Sequence, residues 1–312
     1  MTEPSASPVV LISHQMLGGL ERPLLERGYR VLRRWESTPA QLESVEAIVH
    51  AGEVPLGPDV LVAMPGLQII ACVSVGYDGI DVDWCRARGI EVTHADGLNA
   101  DDVADHAVGL LIASWRNILT GDRLVRSGEW KRTDRLARPS LKGRLVGVVG
   151  LGAIGAAVAR RVEAFGMQVA WWGPRPKSAP WPMAESLLEL AQASDILVVA
   201  CRADEASRGI IAREIIEAVG PRGLIVNVAR GSVVDEDALI EALKAGRLGR
   251  AALDVFIQEP TPAERWQDVP GVILTPHTAG ATLEAIPAMI GQALENLSRH
   301  FAGEPLLSPV PE

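Results

Sequence analysis

Residues 145–164 read LVGVVGLGAIGAAVARRVEA, and the fold turns on them. Leu145–Val149 is short, apolar and rich in valine, the pattern of a strand buried on both faces. Gly150-Leu151-Gly152-Ala153-Ile154-Gly155 follows at once, and Ala156–Ala164 continues as a helix. A lone G-x-G-x-x-G is a weak signal, but between a strand and a helix each glycine has a job. Gly150 makes the tight turn, Gly152 lets backbone approach a pyrophosphate, and Gly155 lets helix pack on strand. The helix N-terminus adds amide donors for an anion. The segment Gly150–Gly155 therefore predicts a Rossmann-type dinucleotide-binding turn.

Outward from this turn, apolar runs alternate with helical patterns. Downstream strands are expected at Val169–Trp172, Asp195–Ala200, Leu224–Val228, Arg250–Phe256 and Val272–Leu274. Upstream they are expected at Val9–Ile12, Tyr29–Leu32, Ala47–His50, Leu67–Val73 and Ile90–His94, with helices ending at Gly28 and Gly89. Such alternation implies two parallel sheets, each wound on both faces. A new unit opens at Asn99, where Asn99 and Asp102 read as a capping-box variant and Asp101, Asp102 and Asp105 suit the positive end of a helix dipole. That helix runs apolar to about Trp115. The polar stretch Arg126–Gly143 is long for an idle connection. The last helix, Leu283–Phe301, is expected to return to the first sheet. The fold class is α/β, with a discontinuous flavodoxin-like domain (1–98 and 282–312) and a Rossmann domain (99–281).

Among the 312 residues, 48% are hydrophobic and 22% charged, which is ordinary for a globular protein. The net charge of −9 disfavours nucleic-acid and anionic-membrane partners. It also means that an anionic substrate needs a local cation. Cys72, Cys85 and Cys201 form no C-x-x-C pair, so neither a disulfide framework nor a metal site is expected. The N-terminus lacks a basic leader, and neither Val9–Ile12 nor Ala107–Trp115 is long enough to span a bilayer. A cytoplasmic location is the default.

The choice of dinucleotide depends on the end of the next strand. An NAD enzyme usually carries Asp or Glu there for the ribose 2′-hydroxyl. Here Trp171-Trp172 are followed by Gly173-Pro174-Arg175-Pro176-Lys177. Gly173 offers no carboxylate, and Arg175 and Lys177 are placed to meet a 2′-phosphate, so NADP(H) is expected over NAD.

Three further residues stand at predicted strand ends, where α/β sheets place ligands. Arg230 follows Leu224–Val228, Glu259 lies beyond Arg250–Phe256, and His277 follows Val272–Leu274. With their surroundings, NVARGSVVD (227–235), LDVFIQEP (253–260) and LTPHTAG (274–280), they resemble the D-2-hydroxyacid dehydrogenase family in motif order and spacing. VSVGYDGIDVD (73–83) and DVADHA (102–107) extend the resemblance over nearly the whole chain. DILVVAC (195–201) and FAGEPLLSPV (301–310) bring it closest to the glyoxylate/hydroxypyruvate and hydroxyphenylpyruvate reductases.

The resemblance implies hydride transfer to a small 2-keto acid bound by the first domain. His277 would donate the proton, Glu259 would orient and charge it, and Arg230 would clamp the carboxylate and polarise the carbonyl. Backbone amides of Ser74, Val75 and Gly76 would hold the other side of the carboxylate. Besides Gly150–Gly155, the cofactor would meet Gly173, Arg175, Lys177, Cys201, Val228, Ala229, Asp254, His277 and Gly280, with Asp254 on the nicotinamide carboxamide. A homodimer through the Asn99 helix and Arg126–Gly143, with Trp130 or Arg135 near the partner, is also implied.

His14, His50, His94, His106 and His300 have no comparable company in sequence, and His106 reads as packing or interface. Cys201-Arg202-Ala203-Asp204 departs from the family's Cys-Pro-Leu-Thr, and Arg202 fits the adenine, the 2′-phosphate or solvent. Trp171-Trp172 read as core. The competing readings are an NAD-using relative of the same family and a non-catalytic cofactor-sensing co-repressor. A phosphoglycerate dehydrogenase is disfavoured by the short segment after the last helix, and a formate dehydrogenase by the short N-terminal segment.

Overall fold

The computed structural model describes residues 7–133 and 137–311, so Arg135 lies outside the described residues. The chain forms two compact units, one running up to Leu98 and resuming at Leu283, the other spanning Asn99–Thr282. The first unit carries β1 (Val9–Ile12), β2 (Arg30–Arg33), β3 (Ala47–His50), β4 (Ile69–Cys72) and β5 (Glu91–Thr93). They form a parallel sheet in the order β2-β1-β3-β4-β5. Side chains alternate across a strand, so Val10 and Ile12 share one face with Leu294 and Leu297 of the helix Ala285–Ala302. Leu11 and Ile48 face the opposite layer with Leu61 and Cys85. Burial on both faces is why these strands read as unbroken apolar runs.

The second unit carries β6 (Leu145–Val149), β7 (Gln168–Trp172), β8 (Ile196–Val199), β9 (Leu224–Asn227), β10 (Arg250–Leu253) and β11 (Val272–Leu274). Its parallel sheet has the order β11-β10-β9-β8-β6-β7. Val146 and Val148 pack under the helices Ala100–Trp115 and Ala153–Ala164, while Val149, Leu197 and Val199 fill the other layer. Winding reverses between β6 and β8, and ligands of such sheets sit at the carboxyl ends of strands there. The glycine turn occupies this place: a Cβ on Gly150 would lie 2.4 Å from the Cα of Cys201.

Several local expectations change. Five of the eleven strands are shorter than the apolar runs; β10 stops at Leu253, where Asp254 turns its carboxylate to the loop after β11. The helix after β6 starts at Ala153, three residues before the expected Ala156, so the second half of the glycine motif is already its first turn. The Asn99 capping box does not form, as Asn99 makes no side-chain cap. Its Nδ2 instead packs against Gly280, 2.2 Å from where a Cβ there would stand. Asp101 and Asp105 pair with Arg161 at 3.0 and 2.6 Å, tying that helix to the helix after β6. A further helix, Ile118–Arg126, precedes the polar connection and starts from Asn117 in the left-handed region. Trp171 is buried and donates its Nε1–H to Trp181 O at 3.1 Å, whereas Trp172 packs half-buried in the opposite layer. No helix among the described residues is long and apolar enough to cross a membrane.

Candidate active site

The loops after β9, β10 and β11 meet at one edge of the second sheet. After β9, buried Asn227 braces the chain on both sides of Arg230. Its Oδ1 accepts from Ala229 N at 3.0 Å and its Nδ2 donates to Arg230 O at 3.0 Å. Gly231 follows, and a Cβ there would fall 1.8 Å from the carbonyl carbon of Phe256. Only glycine lets the Arg230 loop press against the loop that carries Glu259. Buried Glu236 holds this contact by accepting from Ile257 N at 2.5 Å and from Arg265 Nε at 2.9 Å.

Glu259 is fixed by its own turn, since Oε1 accepts from Phe256 N at 2.9 Å. Oε2 bonds His277 Nδ1 at 2.6 Å. A carboxylate on Nδ1 leaves Nε2 as the nitrogen directed away from the pair. His277 has φ +53°, a left-handed conformation that costs a non-glycine residue about 1–3 kcal/mol. The surrounding bonds hold it there. Its amide donates to Asp254 O at 2.8 Å, and the Asp254 carboxylate accepts from Thr278 N (3.0 Å), Ala279 N (2.9 Å) and the Thr275 hydroxyl (2.6 Å). Because that hydroxyl donates to Asp254, it accepts from His106 Nε2 at 2.9 Å. Asp254 is 1% exposed, so its first role is to build the His277 loop. His106, expected as packing or interface, is the outer end of the same network.

The pair is electrostatically matched. The hydrogen bond that His277 donates to Glu259 raises the His277 pKa above its usual value, against burial and the nearby Arg230. Burial pushes the Glu259 carboxyl up, but hydrogen bonds from His277 and Phe256 outweigh it and hold it below the ordinary range. The pairing favours imidazolium beside carboxylate, with the guanidinium of Arg230 close enough to act on both.

The glycine turn meets what a dinucleotide requires. A Cβ on Gly155 would lie 2.1 Å from Gly150 O, so packing demands this glycine. At Gly152 a Cβ would meet nothing within 4 Å, so the requirement there is not set by the protein's own packing. Gly152 and Ala153 are exposed, Ile154 half-buried and Leu151 buried. Gly152 is the N-cap of Ala153–Ala164 and supplies no side-chain acceptor, which leaves the helix terminus suited to an anion. Gly173 is buried at the end of β7, while Arg175 and Lys177 are exposed. The Lys177 ammonium donates to Leu151 O, placing a cation on the glycine turn itself. Val228 and Ala229 are buried behind the turn. Burial pushes the Cys201 thiol up to about 11. Asp204 and Ser207 cap each other in a local turn where the family pattern is absent.

A model of the D-isomer-specific 2-hydroxyacid dehydrogenase NAD-binding domain matches residues 108–279. The chain belongs to this family. Over 96% of its length it is 39% identical to a glyoxylate/hydroxypyruvate reductase of Arabidopsis thaliana, covering 98% of that protein. A hydroxyphenylpyruvate reductase of Plectranthus scutellarioides is 40% identical over 92% of this chain and 94% of its own. Among solved structures, an NADPH-dependent glyoxylate/hydroxypyruvate reductase of Sinorhizobium meliloti, in complex with NADP and malonate, superposes with a TM-score of 0.87. It is 35% identical, with 97% of this chain and 96% of that one covered. The fold and these relatives make the protein a 2-hydroxyacid dehydrogenase or reductase with an NAD(P)-binding domain.

Ser74–Gly76 follow β4 in the first unit, and their carbonyls are bonded inward. Ser74 O accepts from Ala95 N at 2.9 Å, Val75 O bonds His94 Nδ1 at 3.1 Å, and Gly76 O accepts from Ser74 Oγ at 2.9 Å. The sequence missed Asn227, Gly231, Glu236, Thr275 and His106 as parts of the second unit's site. Gly231 had a visible signal, a glycine directly after the candidate cation. Glu236, Thr275 and His106 are ordinary polar residues whose partners are distant in sequence, and Asn227 bonds backbone two and three residues on.

Two glycines separate packing from ligand binding. Gly231→Ala must displace the Phe256 backbone, so its Tm should fall by several degrees and activity should collapse. Gly152→Ala should melt within a degree or two of wild type while binding NAD(P)H at least tenfold more weakly by fluorescence titration. A stable Gly231→Ala, or an unchanged dinucleotide Kd in Gly152→Ala, would contradict these assignments.

Proposed function

We propose that the protein reduces a small 2-keto acid of the glyoxylate or hydroxypyruvate type to the D-2-hydroxy acid, using NADPH. The observation that carries this reading is the 2.6 Å bond between His277 and Glu259 in the loops beside Arg230. A bound nicotinamide dinucleotide supplies the hydride for the carbonyl carbon. His277 Nε2 holds the proton for the carbonyl oxygen, and Glu259 keeps the ring charged and aimed. Arg230 pairs with the substrate carboxylate and with the growing charge on the oxygen, serving as the local cation that the net charge of −9 otherwise denies. Ser74, Val75 and Gly76 contribute amide donors to the carboxylate. Asp254 orients the nicotinamide side by holding the His277 loop.

NADPH is favoured because Gly173 carries no carboxylate to repel a 2′-phosphate, and Arg175 and Lys177 supply cations beside the glycine turn. Arg offers a planar fork for phosphate oxygens, and Pro174 and Pro176 stiffen the chain that carries it. The cysteines Cys72, Cys85 and Cys201 are free thiols, in keeping with a cytoplasmic location. A homodimer is supported by the helix Ile118–Arg126 and its sequel, where Ile118, Leu119, Val125 and Trp130 are 49%, 56%, 62% and 56% exposed.

His277→Asn should keep dinucleotide affinity and lose about two to four orders of magnitude in kcat. Reduction needs His277 protonated, so the wild-type rate should be full at low pH and fall as pH rises through the raised pKa. Glu259→Gln removes the anion that raises it, and the fall should move to lower pH; an unchanged profile would break the assigned pairing.

With a panel of keto acids, kcat/KM should be about ten- to a hundredfold higher with NADPH than with NADH, the worth of one charged hydrogen bond. Arg175→Ala should narrow this gap through the NADPH value alone. Equal wild-type efficiency with both cofactors would return the protein to the NAD-using side of its family. No turnover with either would favour a cofactor-sensing binding protein.

Light scattering at micromolar concentration should give twice the chain mass, and Leu119→Glu/Val125→Glu should halve it. A monomeric wild type would refute the dimer.

A further inference from the structure

The first sheet has its own winding reversal, between β1 and β3, and the residues beyond these strands form a polar cluster. Ser13 Oγ lies 2.8 Å from His14 Nδ1 and 2.9 Å from His50 Nδ1, and the two rings stand 5.1 Å apart. His50 Nε2 lies 2.9 Å from Val54 O. A carbonyl only accepts, so His50 carries its hydrogen on Nε2. His50 is wholly buried and its pKa is pushed down to about 4 by that burial, so the ring is neutral and Nδ1 is a bare acceptor. The single hydrogen of Ser13 must then point to His50. Ser13 Oγ can meet His14 only as an acceptor, so His14 carries its hydrogen on Nδ1.

The consequence is a fixed tautomer for His14, whose Nε2 is a lone-pair acceptor with no partner among the described residues. Burial, and then Arg34, lower the His14 pKa and favour the neutral ring, with Glu53 opposing. Glu53 is near enough to act on His14, and its Oε2 is buried without a hydrogen-bond partner among the described residues. The cluster is joined to the loop after β4. Gly52 N donates to Ser74 Oγ at 2.8 Å, and a Cβ on Gly52 would fall 2.3 Å from Gly76 O. An acceptor lacking a donor, Glu53 Oε2, thus follows Gly52 in the loop joined to Ser74–Gly76, at the place where open α/β sheets take ligands, with His14 within its electrostatic reach.

We propose that His14 Nε2 and the Glu53 carboxylate form a subsite for hydroxyl donors, which selects 2-keto acids bearing a hydroxyl on carbon 3 and beyond. The assignment rests on the reading of the protein as a 2-keto acid reductase. Each hydroxyl has one hydrogen, so Glu53 takes one and His14 the next. An alkyl or aromatic chain would leave Glu53 Oε2 unpaired and cut His14 Nε2 off from water. A site built to bond a hydroxyl rejects the analogue that lacks one far more strongly than an apolar pocket can.

The test compares hydroxypyruvate with pyruvate, and 2-keto-D-gluconate with hydroxypyruvate, in wild type, Glu53→Leu and His14→Phe. In Glu53→Leu the ratio of kcat/KM for hydroxypyruvate over pyruvate should fall about tenfold or more, one charge-assisted hydrogen bond. In His14→Phe the larger loss should fall on 2-keto-D-gluconate. Glu53→Gln and His14→Asn, which keep polar groups, cover any failure of the first pair to fold. Equal losses on both members of a pair would overturn the subsite. If wild type reduces no 2-keto acid, the proposed function fails, and calorimetry on the NADP-loaded protein judges the subsite alone. D-glycerate should then bind about tenfold tighter than D-lactate, a preference lost in Glu53→Leu, and equal affinities would overturn the subsite.

Discussion

The candidate active-site edge depends on a buried carboxylate, that of Asp254. A carboxylate out of water needs donors, and here they come from the loop after β11: two amides and a threonine hydroxyl. Satisfying Asp254 therefore forces the chain through Thr275–Ala279 into one shape, and that shape includes the left-handed turn at His277. The strain at one residue is the by-product of four bonds that share an acceptor group or a neighbouring carbonyl. Replacing His277 alone leaves those bonds intact, whereas disturbing Asp254 releases the whole loop.

A second constraint acts on the opposite side of Glu259. The Arg230 loop can approach only because Gly231 has no side chain, and Glu236 then locks the Phe256–Ile257 backbone from below. Rigid strands, one missing Cβ and two buried carboxylates together set the Glu259–His277 distance. The acidic net charge sharpens the point: long-range attraction does not deliver an anion, so charge must be placed locally, and the backbone that places it must not yield.

Much of this was legible from residue order. Both sheets, the dinucleotide turn at Gly150 and the strand-end placement of Arg230, Glu259 and His277 follow from periodicity and glycine spacing. What escaped was of one kind. Glu236, Thr275 and His106 act through partners that local pattern does not bring together, so His106 looked like helix packing until Thr275 stood beside it. Asn99 fits a capping signature, yet tertiary packing against Gly280 won over the local bond. The ends of strands were overrun because apolar character continues past the last ladder bond, as in Val255 and Phe256, whose side chains are buried without being sheet.

The two sheets solve the same problem with different chemistry. At the reversal in the second sheet, the side chain is removed: Gly150 and Gly155 let the backbone pack closely, and Gly152 leaves open space before the helix terminus. At the reversal in the first sheet, side chains are added, and their hydrogens are committed in one direction, from His14 to Ser13 to His50 to Val54 O. A donor-rich edge suits an anion, and an edge ending in acceptors suits hydroxyls. That directionality rests on one fact, that Val54 offers a carbonyl and not an amide to His50; reversing that single partner would reverse every hydrogen in the chain and turn His14 from an acceptor into a donor.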